Sequence, residues 1–140
     1  MILMKKIKVA YVCVHNSCRS QMAEALTNLY HSDFFEAYSA GTETKDQINQ
    51  DAVKIIKKVH NFDMNLKHKS KLIDKIPEVD IVITMGCNVS CPWLPCNYRE
   101  DWGLEDPSGK NEEEFVKTQE IIFNKIKYLK ERIISKEIVV

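Results

Sequence analysis

Ile7-Lys8-Val9-Ala10-Tyr11-Val12-Cys13-Val14-His15-Asn16-Ser17-Cys18-Arg19-Ser20-Gln21-Met22 changes character twice in a short span. From Ile7 to Cys13 the residues are mostly apolar and β-branched, which suits a buried strand. Small polar residues follow. From Ser17 to Tyr30, Met22, Ala25, Leu26 and Leu29 recur at helical spacing, which predicts a helix with one inward face. A strand, a tight polar loop and a helix thus open the chain.

The same alternation continues outward. Phe34 to Ala40 predicts a second strand, ended by Gly41. Asp46 or Asn49 can cap a helix carrying Ala52, Ile56 and Val59 inward. Val79 to Met85 predicts a third strand, reached after Pro77, and Tyr98 to Trp102 a weaker fourth. The last helix is predicted over Glu112 to Ile134, with Phe115, Ile122, Ile126, Leu129 and Ile133 along one stripe. Strands alternating with helices pair in parallel through right-handed crossovers, giving a three-layer α/β domain. Functional groups in such sheets gather beyond the carboxyl ends of the strands. Cys13, Gly41, Gly86 and Asp106 all fall there.

Composition sets the bounds. A chain of 140 residues suits one domain, residues 1–140, with its own core. Lysine plus arginine equals aspartate plus glutamate at 20 each, so charge points to neither nucleic acid nor a membrane surface. Met1 to Lys8 lacks the apolar run of a leader, and no later stretch is long and apolar enough to span a bilayer. A cytoplasmic setting is expected. Its five cysteines then read as redox groups or metal ligands rather than structural disulfides. Only Arg19, Arg99 and Arg132 are arginines, and Arg19 stands beside Cys18.

The loop from Cys13 to Ser20 (Val14, His15, Asn16, Ser17, Cys18 and Arg19 between) explains that choice. A turn entering a helix points backbone N–H groups at one spot, and the helix N-terminus adds partial positive charge. Arg19 can close this cradle with a planar fork matched to two oxygens of a tetrahedral anion. The same field favours the thiolate of Cys13, and Ser20 can donate a hydrogen bond to its sulfur. Cys13 is therefore the expected nucleophile, and Val14 to Ser20 the expected oxyanion loop.

Val12-Cys13-Val14-His15-Asn16-Ser17-Cys18-Arg19-Ser20-Gln21-Met22-Ala23-Glu24-Ala25 resembles the signature of the low-molecular-weight tyrosine phosphatase superfamily, and more narrowly of its thioredoxin-coupled arsenate reductases. Tyr38-Ser39-Ala40-Gly41 and Trp102-Gly103-Leu104-Glu105-Asp106-Pro107 match later landmarks in the same order. The resemblance implies a four-stranded parallel sheet flanked by helices. It also implies that Asp106, which Pro107 restricts to an extended conformation, is the general acid that protonates the leaving oxygen. His15 stands where glycine is common in the superfamily; a solvent-facing side chain is expected for it. Some relatives bind potassium through groups equivalent to Asn16, Glu24 and Ser39. Here His68-Lys69-Ser70-Lys71 brings lysines to that neighbourhood, so an ammonium is expected in place of the ion. No metal and no cofactor are expected.

Gly86-Cys87-Asn88-Val89-Ser90-Cys91-Pro92-Trp93-Leu94-Pro95-Cys96 separates a reductase from a phosphatase. A phosphatase needs one cysteine, whereas a reductase needs further thiols to deliver electrons. Three readings stand beside one another: a redox relay through Cys87 and Cys91, zinc held by Cys87, Cys91 and Cys96 with His68 as fourth ligand, and unreactive buried thiols. The resemblance implies the relay. Cys13 attacks arsenate, Cys87 attacks Cys13 with release of arsenite, and Cys91 carries the disulfide onward to thioredoxin. Cys18 and Cys96 are left without a role. Arsenate, with phosphate competing, and thioredoxin are the expected partners of a monomer. The alternatives are a tyrosine phosphatase acting through phosphocysteine and a non-catalytic oxyanion or zinc sensor. Ser108-Gly109 after Asp106-Pro107, where phosphatases often place an aromatic, favours a compact inorganic anion.

Overall fold

The computed structural model describes residues 5–86 and 94–140; Cys87 and Cys91 lie outside the described residues. The elements run β1 (Ile7–Cys13), α1 (Arg19–Tyr30), β2 (Phe35–Gly41), α2 (Gln50–His60), β3 (Ile81–Thr84), β4 (Tyr98–Asp101) and α3 (Glu112–Ile134). Short 3-10 turns occupy Met64–Leu66 and Ile73–Lys75. All strand pairs are parallel, in the order β2-β1-β3-β4. Cys13 lies beside Gly41, Val12 beside Thr84, and Thr84 beside Asp101, so the strand ends share one edge.

Side chains alternate between the two faces of a strand. Val9, Tyr11, Cys13, Ile81 and Ile83 join a core with Met22, Leu26, Ile55, Ile56, Phe115, Ile122 and Leu129 from the three helices. Ala10, Val12 and Val82 face the other way, under Ile73, Ile76, Val79, Leu94 and Cys96. Among the described residues the third layer is thus built by a 3-10 turn and the segment leading into β4. The fold is the four-stranded α/β sheet expected from the sequence.

Two expected core positions differ. Val59 is 46% exposed, while Val53 and Ile55 are buried. The last turn of α2 meets α3 through His60, whose ring stacks on Phe123 and bonds Gln119 at 2.7 Å, so Val59 turns outward. Leu29 is 38% exposed because it borders an open cleft with Phe62, Lys67 and Asn28.

Edge strand β4 is pinned from α3. Arg132 grips Glu100 with both terminal nitrogens at 2.8 Å, and Tyr98 and Trp102 donate to the same carboxylate. This bidentate pair, with the two further donors, holds Glu100 down at about 2.

Candidate active site

Beyond the strand ends the chain from Cys13 to Cys18 curls into a loop before α1 begins at Arg19. α1 starts two residues later than predicted because Ser17 and Cys18 belong to that curl. Asn16 takes a left-handed conformation (φ 49°), a form asparagine tolerates better than most residues. His15 does not need positive φ, so the glycine common at its position is dispensable here. Its ring turns outward, 3.4 Å from Glu43.

Gly41 lets the loop approach the sheet. A β-carbon there would stand 2.5 Å from the Val14 carbonyl oxygen, 2.8 Å from that of Cys13 and 2.9 Å from the Asn16 nitrogen. Gly86, at φ 93°, plays the same part beneath Leu104, whose carbonyl oxygen a β-carbon would meet at 2.7 Å.

Cys13, Val14, His15, Ser17, Cys18, Arg19 and Asp106 line one cavity of about 200 Å³. Asn16 and Ser20 are buried behind it. The Ser20 hydroxyl lies 2.9 Å from the Cys13 sulfur, as predicted. Asn16 donates its side-chain N–H into Ser20 Oγ at 2.9 Å, which leaves the hydroxyl hydrogen to point at the sulfur. Gln21, fully buried, holds Asn16 through both its carbonyl and its Oδ1. His68 in turn bonds Gln21 Oε1 at 2.8 Å.

Arg19 is anchored in a way the sequence did not suggest. Its Nη1 donates to the carbonyls of Met85 at 2.6 Å and Leu104 at 2.7 Å. One nitrogen therefore braces the guanidinium against β3 and the acid-bearing segment. Among the described residues the others have no hydrogen-bond partner and can meet an anion.

Asp106 sits across the cavity, its Oδ1 accepting from Ser108 N at 3.0 Å and Ser108 Oγ at 2.7 Å. Burial pushes the carboxyl up, but the Ser108 bonds, Arg19 and Lys45 outweigh it and hold it below the usual aspartate range. An anion on the loop would oppose Arg19 and raise it. Cys18 is pushed up to about 12 by burial, with Asp106 and Cys13 adding, so it stays a thiol.

Residues 8–138 match the low-molecular-weight phosphotyrosine protein phosphatase family. The chain belongs to this family. Arsenate reductase 1 of Staphylococcus epidermidis is 40% identical over 124 residues, covering 85% of this chain and 92% of that protein. A solved arsenate reductase in the phosphate-binding state superposes with a TM-score of 0.81 at 31% identity, covering 91% of this chain and 98% of that one. A thioredoxin-dependent arsenate reductase of Corynebacterium glutamicum gives 0.69 at 27% identity, over 92% of this chain and 64% of that one.

Within this phosphatase fold the group behind the loop is occupied by a lysine. Lys71 Nζ lies 3.2 Å from Ser39 Oγ and 3.4 Å from both Glu24 Oε1 and the Lys69 carbonyl. Buried His68 has Gln21 on one ring nitrogen and Glu24 3.6 Å from the other. Cys96 lies elsewhere, lining a separate cavity with Lys5, Lys8 and Asp80 before β4. His68 and Cys96 line different cavities, so the structure does not bring these two zinc candidates together. Among the described residues no helix is long and apolar enough to cross a membrane, and no cluster of three metal-ligating side chains forms.

Proposed function

We propose that this chain reduces arsenate to arsenite with Cys13 as nucleophile. The observation carrying the reading is the cavity that joins Cys13, Arg19 and Asp106, together with 40% identity to an arsenate reductase across most of both chains. Arsenate binds the loop N–H groups and the free side of Arg19. Cys13 thiolate attacks arsenic, and Asp106 gives a proton to the departing oxygen, which leaves as water. Cys87 thiolate then attacks the Cys13 sulfur. The S–As bond breaks with its electron pair passing to arsenic, so As(V) becomes As(III) and a Cys13–Cys87 disulfide remains. Cys91 attacks Cys87 and frees Cys13. Thioredoxin supplies the two electrons that reduce the resulting Cys87–Cys91 disulfide.

The enzyme acts as a cytoplasmic monomer of one domain and hydrolyses aryl phosphates weakly, since phosphate and arsenate are both tetrahedral. A single turnover tests the chemistry. Fully reduced protein mixed with excess arsenate and no thioredoxin should release one arsenite per chain and lose two thiols. Peptide mapping should place the bond between Cys87 and Cys91. Release of no arsenite, with steady hydrolysis of phosphotyrosine, would establish the phosphatase reading instead.

A further inference from the structure

Asn49 is the N-cap of α2, its Oδ1 accepting from the backbone N–H groups of Asp51 and Ala52 at 2.9 and 3.0 Å. Those two bonds fix which way its amide faces, so Nδ2 points out of the helix. It donates to Ser108 Oγ at 3.2 Å. Ser108 Oγ, having accepted that hydrogen, directs its own to Asp106 Oδ1 at 2.7 Å. The Ser108 backbone N–H reaches the same oxygen. Oδ2 of Asp106 accepts no bond from the described residues and is left for the cavity. The Asn49 backbone N–H meanwhile donates to the Ser17 carbonyl at 2.7 Å, inside the oxyanion loop. One residue at a helix start therefore touches both halves of the site.

We propose that Asn49 and Ser108 form a clasp that aims Asp106 at the anion and keeps it in register with the Cys13 loop. Both are positioning residues, and the proposal rests on the acid role of Asp106. The arrangement repeats the one behind the nucleophile, where Asn16 orients Ser20 and Ser20 meets Cys13. The charged and titratable groups facing Asp106 are Arg19 on α1, Lys45 on the loop before α2, and the Cys18 and Cys13 thiols. Cys18 also bonds the Ser108 side chain, so Ser108→Ala frees that thiol as well, whereas Asn49→Asp leaves Arg19, Lys45 and both thiols in place.

Asn49→Asp keeps a strong cap but deletes the outward donor; Ser108→Ala deletes the hydroxyl; Ser108→Thr restores it. The test follows the Asp106 carboxyl by 13C NMR through a pH titration of the unliganded, reduced protein. It is paired with kcat and KM for arsenate across pH. In Asn49→Asp and Ser108→Ala the Asp106 titration should move upward and kcat should fall about tenfold with KM near wild type, because a misaimed acid loses part of its contribution. The basic limb of the rate profile should follow the carboxyl, and Ser108→Thr should recover both. An Asp106 titration unchanged in both variants overturns the clasp. A titration that moves while kcat and its profile stay at wild-type values supports the clasp and overturns the acid role.

Discussion

Lys71 places its ammonium 3.2 Å from the Ser39 hydroxyl and 3.4 Å from the Glu24 carboxylate, directly behind the loop that carries Cys13. Asn16, whose Oδ1 accepts from the Lys71 backbone N–H at 2.9 Å, completes the neighbourhood. A tethered cation there neutralises Glu24 without recruiting one from solution. Exchanging potassium for sodium or choline at constant ionic strength should change kcat/KM for arsenate by less than about twofold. Lys71→Met leaves the half-buried Glu24 carboxylate with only the Ser39 hydroxyl and His68 beside it and should lower stability by about 1 kcal/mol. Urea unfolding and steady-state kinetics in each salt check both statements.

Ser20 makes a direct hydrogen bond to the Cys13 sulfur at 2.9 Å. A hydrogen bond to a charged group contributes about 1.5–3 kcal/mol. Ser20→Ala should therefore slow alkylation of Cys13 by iodoacetamide at neutral pH by about tenfold, with little change in circular dichroism. Mass spectrometry of the labelled peptide reads the rate.

Where Gly41 meets the loop, three backbone atoms stand within 2.9 Å of any added β-carbon. None can yield as a side-chain tip would. Gly41→Ala should push Val14 and Asn16 outward, weaken phosphate binding at least about tenfold and lower the unfolding midpoint. Isothermal titration with phosphate and a thermal melt measure the two effects.

Much of this molecule was legible in residue order. β1 and α3 have the predicted limits, and the helix cap is Asn49, one of two residues named for it. Periodicity and capping act locally, so sequence carries them. The cradle of Cys13, Arg19 and Asp106 was legible because its parts occupy strand ends in a parallel sheet. What escaped was set by tertiary contact. Arg19 is braced by carbonyls 66 and 85 residues away, which no local pattern encodes. Asn49 reads as a cap in sequence, and its second partner, Ser108, is visible only when the two loops meet. The depressed carboxyl of Asp106 has the same origin, since it comes from the Ser108 bonds, Arg19 and Lys45 meeting in the fold.

Glu100 gives a pH dependence with a definite direction. Its carboxyl is held at about 2 in the fold against an ordinary 4.5. A depressed carboxyl stabilises above the unfolded value, and that stability is lost as pH falls from about 4.5 to about 2. Glu100→Gln should cost about 2 kcal/mol at pH 7. The gap between variant and wild type should close steadily below pH 4.5. Urea midpoints at pH 7, 4 and 2.5 test this, and a constant gap across that range would contradict it.

In the proposed function Cys13 begins a three-thiol reduction of arsenate. It is tested most directly by arsenate-dependent oxidation of NADPH in the presence of thioredoxin and its reductase. Wild type should turn over, and Cys13→Ser, Cys87→Ser and Cys91→Ser should each lose steady turnover. Full turnover by Cys87→Ser and Cys91→Ser together would contradict the account.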